Sequence, residues 1–92
     1  MATVRIPPVL RPKTDGQPEV EAPGSTVGEV LRSLTEAYPD TSPQLFGEDG
    51  ELNRYVNVYL NDEDVRVLDG LDTAAADGDT VVILPAMAGG AA

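Results

Sequence analysis

The feature that most constrains the fold is a single stretch of helical periodicity in the first half of the chain. Thr26 and Glu29 have the spacing of a capping box, in which each side chain bonds the other residue's free backbone N–H. Pro39 ends the pattern, so we predict one amphipathic helix over residues 26–38. Its apolar stripe consists of Val27, Val30, Leu31, Leu34 and Tyr38. A chain with one such helix must bury that stripe against something other than a second helix.

Segments with the two-residue period of β-strands lie on both sides of the helix and supply that surface. Stretches rich in Pro, Gly, Asp and Asn separate them, and we predict turns at residues 11–18, 61–64 and 77–79. Residues 39–54 are irregular, with Leu45 and Phe46 anchoring a short helical turn on the core. The predicted strands cover residues 3–7, 19–22, 55–60, 65–68 and 80–84.

The order of these elements indicates the fold class. If the helix crosses the sheet in the normal way, the first and last strands form the central pair of a mixed sheet. The order of hairpin, helix, two strands and final strand is that of the β-grasp, or ubiquitin-like, fold. We therefore predict an α+β protein in which a mixed sheet packs on one main helix.

Composition excludes several functional classes. The 92 residues include no cysteine and no histidine, so the commonest nucleophile, proton shuttle and zinc ligands are missing. We expect no metal site, no bound cofactor and no enzymatic activity of the chain itself. The formal net charge of −10 argues against nucleic acid and anionic membranes as partners. A cytoplasmic location follows as the default expectation, because no signal peptide or membrane-spanning run is visible.

The last seven residues, AMAGGAA, carry no charge and no periodic pattern. We predict a β-grasp domain over residues 1–85 and a flexible C-terminal tail over residues 86–92. Extended at roughly 3.4 Å per residue, residues 86–90 reach about 17 Å beyond the strand. Gly89 and Gly90 have no Cβ, so catalytic groups of another protein can approach their backbone closely. The pattern suits a terminus that enters another active site, and a merely frayed end has the same composition.

The chain resembles the ubiquitin-like sulfur carriers related to MoaD and ThiS, and within them the cysteine-biosynthesis, or CysO, type. The similarity runs from end to end of the sequence. Its strongest part is the long central block followed in order by the Leu-Pro-Ala-x-Ala-Gly-Gly ending. The matching stretches are IP at 6–7, LRP at 10–12, VNVYLNDEDVR at 56–66, ADGD at 76–79, VILPA at 82–86 and AGG at 88–90.

The resemblance implies that the chain is a protein cosubstrate. An E1-like enzyme uses ATP to adenylate the carboxylate of Gly90, with Met87, Ala88 and Gly89 as the tail that is threaded. Sulfur then displaces AMP and leaves a thiocarboxylate. In the cysteine pathway the acceptor enzyme is a PLP-dependent synthase, and a zinc-dependent peptidase of the JAMM type releases the product.

One departure from the family pattern is the Ala91-Ala92 pair after the second glycine. As written, Gly90 has a peptide carbonyl in place of the reactive carboxylate. We interpret the chain as a precursor that is cleaved between Gly90 and Ala91, with the zinc peptidase as the candidate enzyme. The two alanines could instead derive from cloning. Activation at Ala92 is disfavoured, because a methyl group would stand where the family presents glycine.

The strand patterns also predict a docking face. If Val81 and Ile83 face the core, Val82 and Leu84 face outward although both are apolar. With Tyr59 from the third strand they would form an exposed apolar patch beside the tail, which is typical of a contact site. The competing interpretation is that residues 39–54 cover this patch.

Three further interpretations remain open. The same tail chemistry would serve thiamin, molybdopterin or a sulfur-containing secondary metabolite as well as cysteine. An activated Gly90 could also form isopeptide bonds with other proteins, as a ubiquitin-like modifier does, and a plain β-grasp binding module would use no tail at all.

The acidic run at 62–64 lacks the spacing of a calcium loop and is interpreted as a solvated turn. Arg54 and Arg66 are expected to form surface ion pairs with neighbouring carboxylates.

Overall fold

In the computed structural model, which describes residues 1–53 and 55–85, one mixed sheet packs against one main helix. The strands are β1 (Ala2–Arg5), β2 (Glu19–Ala22), β3 (Val56–Leu60), β4 (Glu63–Asp64) and β5 (Thr80–Pro85). The helices are α1 (Val27–Ala37) and the short α2 (Ser42–Leu45), with 3-10 turns at Pro8–Thr14, Pro39–Thr41 and Gly70–Asp72.

The sheet has the strand order β2-β1-β5-β3-β4. β1 runs parallel to β5, while the β1–β2, β3–β5 and β3–β4 pairs are antiparallel. The predicted pairing of the first and last strands at the centre of the sheet is confirmed; the two strands are parallel, and β5 lies in the middle of the sheet. The predicted α+β, β-grasp architecture is therefore the one observed.

The core lies between α1 and the inner face of the sheet. The apolar residues predicted to face inward on β3 and β5 are buried, as is the stripe of α1 apart from Tyr38, which is half-buried against the core. Leu45 is fully buried and Phe46 packs against the same cluster, as predicted for the short helical turn. The buried residues include Val4, Val27, Val30, Leu31, Leu34, Val58, Val81 and Ile83.

The start of α1 uses half of the predicted capping box. Thr26 Oγ1 accepts a hydrogen bond of 3.1 Å from the Glu29 backbone N–H, as predicted. The return bond is different, because the Glu29 carboxylate accepts from the backbone N–H and the hydroxyl of Ser25, both at 3.0 Å. Both bonds from Ser25 lower the pKa of Glu29, and the bond from the Ser25 backbone N–H has the larger effect.

Two predicted elements were wrong in detail. Residues 11–18 are not simply a turn, because Pro8–Thr14 forms a 3-10 helix that buries Leu10. The turn itself is confined to Asp15 and Gly16, whose φ angles are +56° and +79°. A proline at the first helical position favours such a helix, since its missing N–H needs no partner there.

The fourth strand lies at Glu63–Asp64 and not at residues 65–68. Asn61 and Asp62 both have positive φ, at 48° and 75°, so a two-residue hairpin turn ends sooner than predicted. Beyond it, Val67 N–H donates to the Asp64 carbonyl and Leu68 N–H to the Val65 carbonyl. The backbone therefore bonds locally, and Val67 is 81% exposed.

Candidate functional site

The site is defined by the end of β5, from which the tail continues. β5 lies between β1 and β3, and its last residue, Pro85, is in register with Val56 of β3. The tail residues predicted to carry the chemistry lie outside the described residues, and their roles stay predictions. They are Met87, Ala88, Gly89, Gly90 and Ala91.

The structure brings the three residues of the predicted docking face together on the outer side of the sheet. Tyr59 is the register partner of Val82, and Leu84 follows on β5 opposite Asn57. Leu84 is 44% exposed, while Tyr59 and Val82 are partly exposed. Within residues 39–53, Leu45 is fully buried and Phe46 packs against the core cluster. We name Tyr59, Val82 and Leu84 the outer patch.

A depression of about 330 Å³ borders the outer patch at the tail end of β5. Its floor includes Val82 and Leu84, and two cations, Arg5 and Arg11, stand on its walls. Sequence reasoning did not single out these arginines. The remaining lining residues are Ile6, Pro7, Pro8, Pro18, Glu19 and Ile83.

Each arginine is held by one contact. Arg5 Nε lies 3.8 Å from Glu19 Oε2, and both side chains are more than half exposed. Arg11 Nε–H donates to the Ile6 carbonyl at 3.1 Å, which ties the middle of the 3-10 helix to the residue that follows β1. An exposed pair such as Arg5–Glu19 contributes roughly 0–1 kcal/mol, so Arg5 can exchange its partner at little cost.

The charges on the outer face are segregated. Among the outward-facing strand positions of the described residues, carboxylates stand on the two edge strands and Arg5 on β1 is the cation. The edge carboxylates are Glu19 and Glu21 on β2 and Asp64 on β4. The tail end of the face is therefore the place where positive charge and apolar surface adjoin.

The opposite end of the sheet is locked by hydrogen bonds between two turns. Asn61 Nδ2 donates to Asp79 Oδ1 at 3.0 Å, and Asn61 Oδ1 accepts from the Thr80 backbone N–H at 2.9 Å. Asp79 Oδ2 also accepts from the Ala76 N–H at 2.8 Å. Both hydrogen bonds lower the pKa of Asp79, and the bond from the Ala76 N–H has a larger effect than the bond from Asn61. These motif residues hold β3 and β5 together at the end of β5 opposite Pro85.

Arg66 differs from the prediction in its partners. Its guanidinium donates to Asn57 Oδ1 and to the Asn53 carbonyl, both at 3.0 Å, and not to a carboxylate. It ties the segment before β3 to the outer face of that strand. Arg54 lies outside the described residues.

A larger depression of about 520 Å³ lies on the helix side, between α1 and the 3-10 turn at Gly70–Asp72. Arg32 and Arg66 lie there among the carboxylates of Glu29, Glu51, Asp69 and Asp72, so acidic side chains outnumber basic ones. Within residues 1–53 and 55–85, no three metal-ligating side chains converge. No helix in the same ranges is long and apolar enough to cross a membrane.

Comparison with known proteins decides the family. The ThiS family matches residues 4–90, and the match ends at the second glycine of the pair. The chain belongs to the ThiS family. The predicted relation to the ubiquitin-like sulfur carriers is thereby confirmed.

Relatives in the family include the sulfur carrier protein CysO of Mycobacterium tuberculosis, which is 53% identical over 90 residues. That alignment covers 96% of this chain and 97% of the relative. Small archaeal modifier protein 3 of Haloferax volcanii is 48% identical over 66 residues, covering 72% of this chain and 71% of the relative.

Solved structures of ThiS-family relatives superpose on the whole fold. The Amycolatopsis orientalis BexX/CysO complex gives a TM-score of 0.89 at 44% identity, covering 96% of this chain and 98% of the matched one. Mycobacterium tuberculosis CysO gives 0.87 at 51% identity, covering 94% and 99%. In the Amycolatopsis structure the carrier is seen with a protein partner, so carriers of this type form protein complexes.

Arg5 and Arg11 are the features that sequence reasoning missed. The alternation of β1, with Val4 and Ile6 buried, already indicated that Arg5 faces outward. Its position beside Val82 depends on the parallel register of β1 with β5, which pairs those two residues. No local pattern in the sequence specifies that register.

Proposed function

We propose that the chain is a sulfur carrier, acted on by other enzymes, whose working terminus is the Gly90 carboxylate. The carboxylate oxygen attacks the α-phosphate of ATP on an E1-like enzyme and releases pyrophosphate. Sulfur then attacks the acyl adenylate and expels AMP, so that one oxygen of the terminus is replaced by sulfur. Removal of Ala91 and Ala92 by a JAMM-type zinc peptidase comes first, because it supplies the carboxylate.

The observation that carries this proposal is the family match up to Gly90, combined with the position of β5. A central strand leads to the tail, and the exposed Leu84 stands just before its end. β5 therefore ends beside a surface that an enzyme can contact. The outer patch is proposed as that surface.

Cysteine biosynthesis is the pathway we favour. Relatives of more than 50% identity over nearly the whole chain are CysO sulfur carriers. The proposed acceptor is accordingly a PLP-dependent synthase, whose product the JAMM-type peptidase releases. Supply of sulfur for thiamin, molybdopterin or a secondary metabolite uses the same carrier chemistry with a different acceptor enzyme.

Protein modification is the second candidate function. The similarity to small archaeal modifier protein 3 favours it, although that alignment covers 72% of this chain. Both functions begin with adenylation of Gly90, and they differ in the nucleophile that attacks the adenylate. Sulfide gives a thiocarboxylate, whereas a lysine amine of a target gives an isopeptide bond.

The test compares three chain lengths with the E1-like enzyme, ATP and sulfide, followed by intact-protein mass spectrometry. We expect the chain ending at Gly90 to gain the mass difference between sulfur and oxygen. The full 92-residue chain should gain it only after incubation with the peptidase. A chain ending at Gly89 serves as the matched control for the position of the carboxylate.

Two results would overturn parts of the proposal. A thiocarboxylate on Ala92 of the full chain, without trimming, would show that the last two residues are no obstacle to activation. Higher-mass conjugates in cell extract, with no thiocarboxylate from sulfide, would assign the chain to protein modification.

A further inference from the structure

We propose that Arg5 and Arg11 form an electrostatic latch beside the tail, which docks onto carboxylates of the adenylating enzyme. The inference rests on the proposed function and concerns the chemistry of the partner surface. It predicts an enzyme that presents acidic side chains around an apolar projection, which fills the depression over Val82 and Leu84.

Charge complementarity is the first argument. The chain carries 16 acidic residues and six basic ones, so a surface patch chosen at random is acidic. The depression beside the tail is different, because Arg5 and Arg11 flank it and Glu19 is the one carboxylate among its lining residues. A partner complementary to the chain as a whole is basic, whereas the partner surface at this place is acidic.

The geometry of the depression is the second argument. Arg5 is in parallel register with Val82, so its side chain stands beside the outer patch on the neighbouring strand. Leu84 lies one outward position further along β5, next to the point where the tail begins. An enzyme that binds the tail must approach this place, and an apolar contact flanked by charges is the usual anatomy of a specific interface.

The state of the two arginines is the third argument. The exposed Arg5–Glu19 pair, at 3.8 Å, leaves the guanidinium largely hydrated and ready to change partner. Arg11 uses Nε for the Ile6 carbonyl, which aims the guanidinium and limits the ordering needed on binding. Charges at the edge of an interface act mainly on the association rate and its dependence on salt.

The sharpest test is a charge exchange between register partners. Arg5 and Glu19 face each other across β1 and β2, so the double variant Arg5→Glu/Glu19→Arg keeps the net charge and the ion pair. It moves the positive charge one strand away from Val82. We expect kcat/KM for ATP–pyrophosphate exchange with the E1-like enzyme to fall by about 10-fold at low salt. The difference in kcat/KM between the double variant and the parent chain should shrink at high salt. The urea midpoint of unfolding should be the same for both chains.

Arg11 needs a different pair of variants, because it also supports the fold. Arg11→Gln should lower kcat/KM, and Arg11→Lys should restore most of it, since lysine keeps the charge but loses the Nε bond. Arg32→Gln on α1, which faces away from the sheet's outer side, changes the net charge equally and should behave like the parent chain.

The outcomes are distinguishable. If the parent chain ending at Gly90 supports exchange and the Arg5/Glu19 double variant matches it at low salt, the latch is refuted while the sulfur-carrier proposal stands. If the parent chain supports no exchange with ATP, the proposed function itself fails and the latch fails with it. Equal losses in the Arg32→Gln control would show an effect of total charge and would also refute the latch.

Discussion

Gly24 shows how strongly one residue can constrain the path of this chain. Its φ of +152° lies in the region that side chains avoid, just before α1. A Cβ at this position would lie 2.6 Å from the Val30 backbone nitrogen and 2.9 Å from Glu29 Cβ. Gly24 therefore lets the loop pass against the backbone of the helix's first turns.

We predict that Gly24→Ala destabilises the fold by about 2–4 kcal/mol, from backbone strain and from overpacking together. Gly16→Ala is the matched control, because Gly16 also has positive φ, at +79°, but a Cβ there would meet no atom within 4 Å. Urea unfolding of both variants measures the difference. Equal losses would mean that the contact with the helix backbone relaxes freely.

Single contacts could be predicted from the sequence where the two partners are close along the chain, as in the hydrogen bond between Thr26 and Glu29 at the start of α1. Prediction failed where the partner is distant along the chain. Glycine has a low helix propensity, yet a Cβ at position 28 would lie 3.0 Å from the Leu71 carbonyl oxygen. A side chain at position 28 would require Leu71 to move by a few tenths of an ångström, and only the folded chain reveals this contact.

At the scale of elements, the two turns at the end of the sheet opposite the tail act as one clamp. Asp79 accepts from Ala76 N–H and from Asn61 Nδ2, and both bonds favour its charged form. Its pKa is lower in the folded chain than in the unfolded one. The resulting stability is present above the unfolded value near 3.8 and is lost as pH falls through the lower folded value.

We predict that Asp79→Asn flattens the loss of stability between about pH 5 and pH 2, because its amide cannot change charge in that window. Thermal unfolding at several pH values measures the slope. Asp62→Asn removes a charge from the same end of the molecule, and its thermal stability should depend on pH more nearly as that of the parent chain does. Identical slopes for the parent chain and Asp79→Asn would contradict the role given to this clamp.

Elements with a strong period were predictable, because α1, β2, β3 and β5 each bury one face against the same core. The boundaries that failed depend on turn geometry. The positive φ angles of Asn61 and Asp62 shorten the hairpin to two residues and place β4 at Glu63–Asp64. Composition indicates a turn there, but it does not count the residues within it.

At the scale of the whole molecule, ten excess negative charges are confined to a body with a radius of gyration of 12.0 Å. Like charges at such separations repel in the folded state, and salt screens them over a Debye length of about 10 Å at 0.1 M. We predict a melting temperature several degrees higher in 0.5 M than in 0.01 M sodium chloride, equivalent to roughly 1 kcal/mol.

A variant with Glu36→Gln, Glu48→Gln and Glu63→Gln provides the comparison, since all three side chains are exposed. Its melting temperature should rise less with salt than that of the parent chain. Equal increments in both proteins would point to a general salt effect on burial of apolar surface.

The sequence predicts one part of the candidate site and not the other. The outer patch follows from strand alternation, because Val82 and Leu84 are apolar at outward positions. The depression with Arg5 and Arg11 needs residues of β1, the first 3-10 helix and β5, which the crossover brings together. Long-range register of this kind is a property of the assembled sheet.

The central position of β5 has a mechanical consequence. A pull applied to the tail along this strand loads its bonds to β1 and β3 in shear, all at the same time, on both of its sides. An edge strand would instead peel away one bond after another. The proposed threading of the C-terminal end into other enzymes would thus pull on the strand that is best placed in the sheet to resist force.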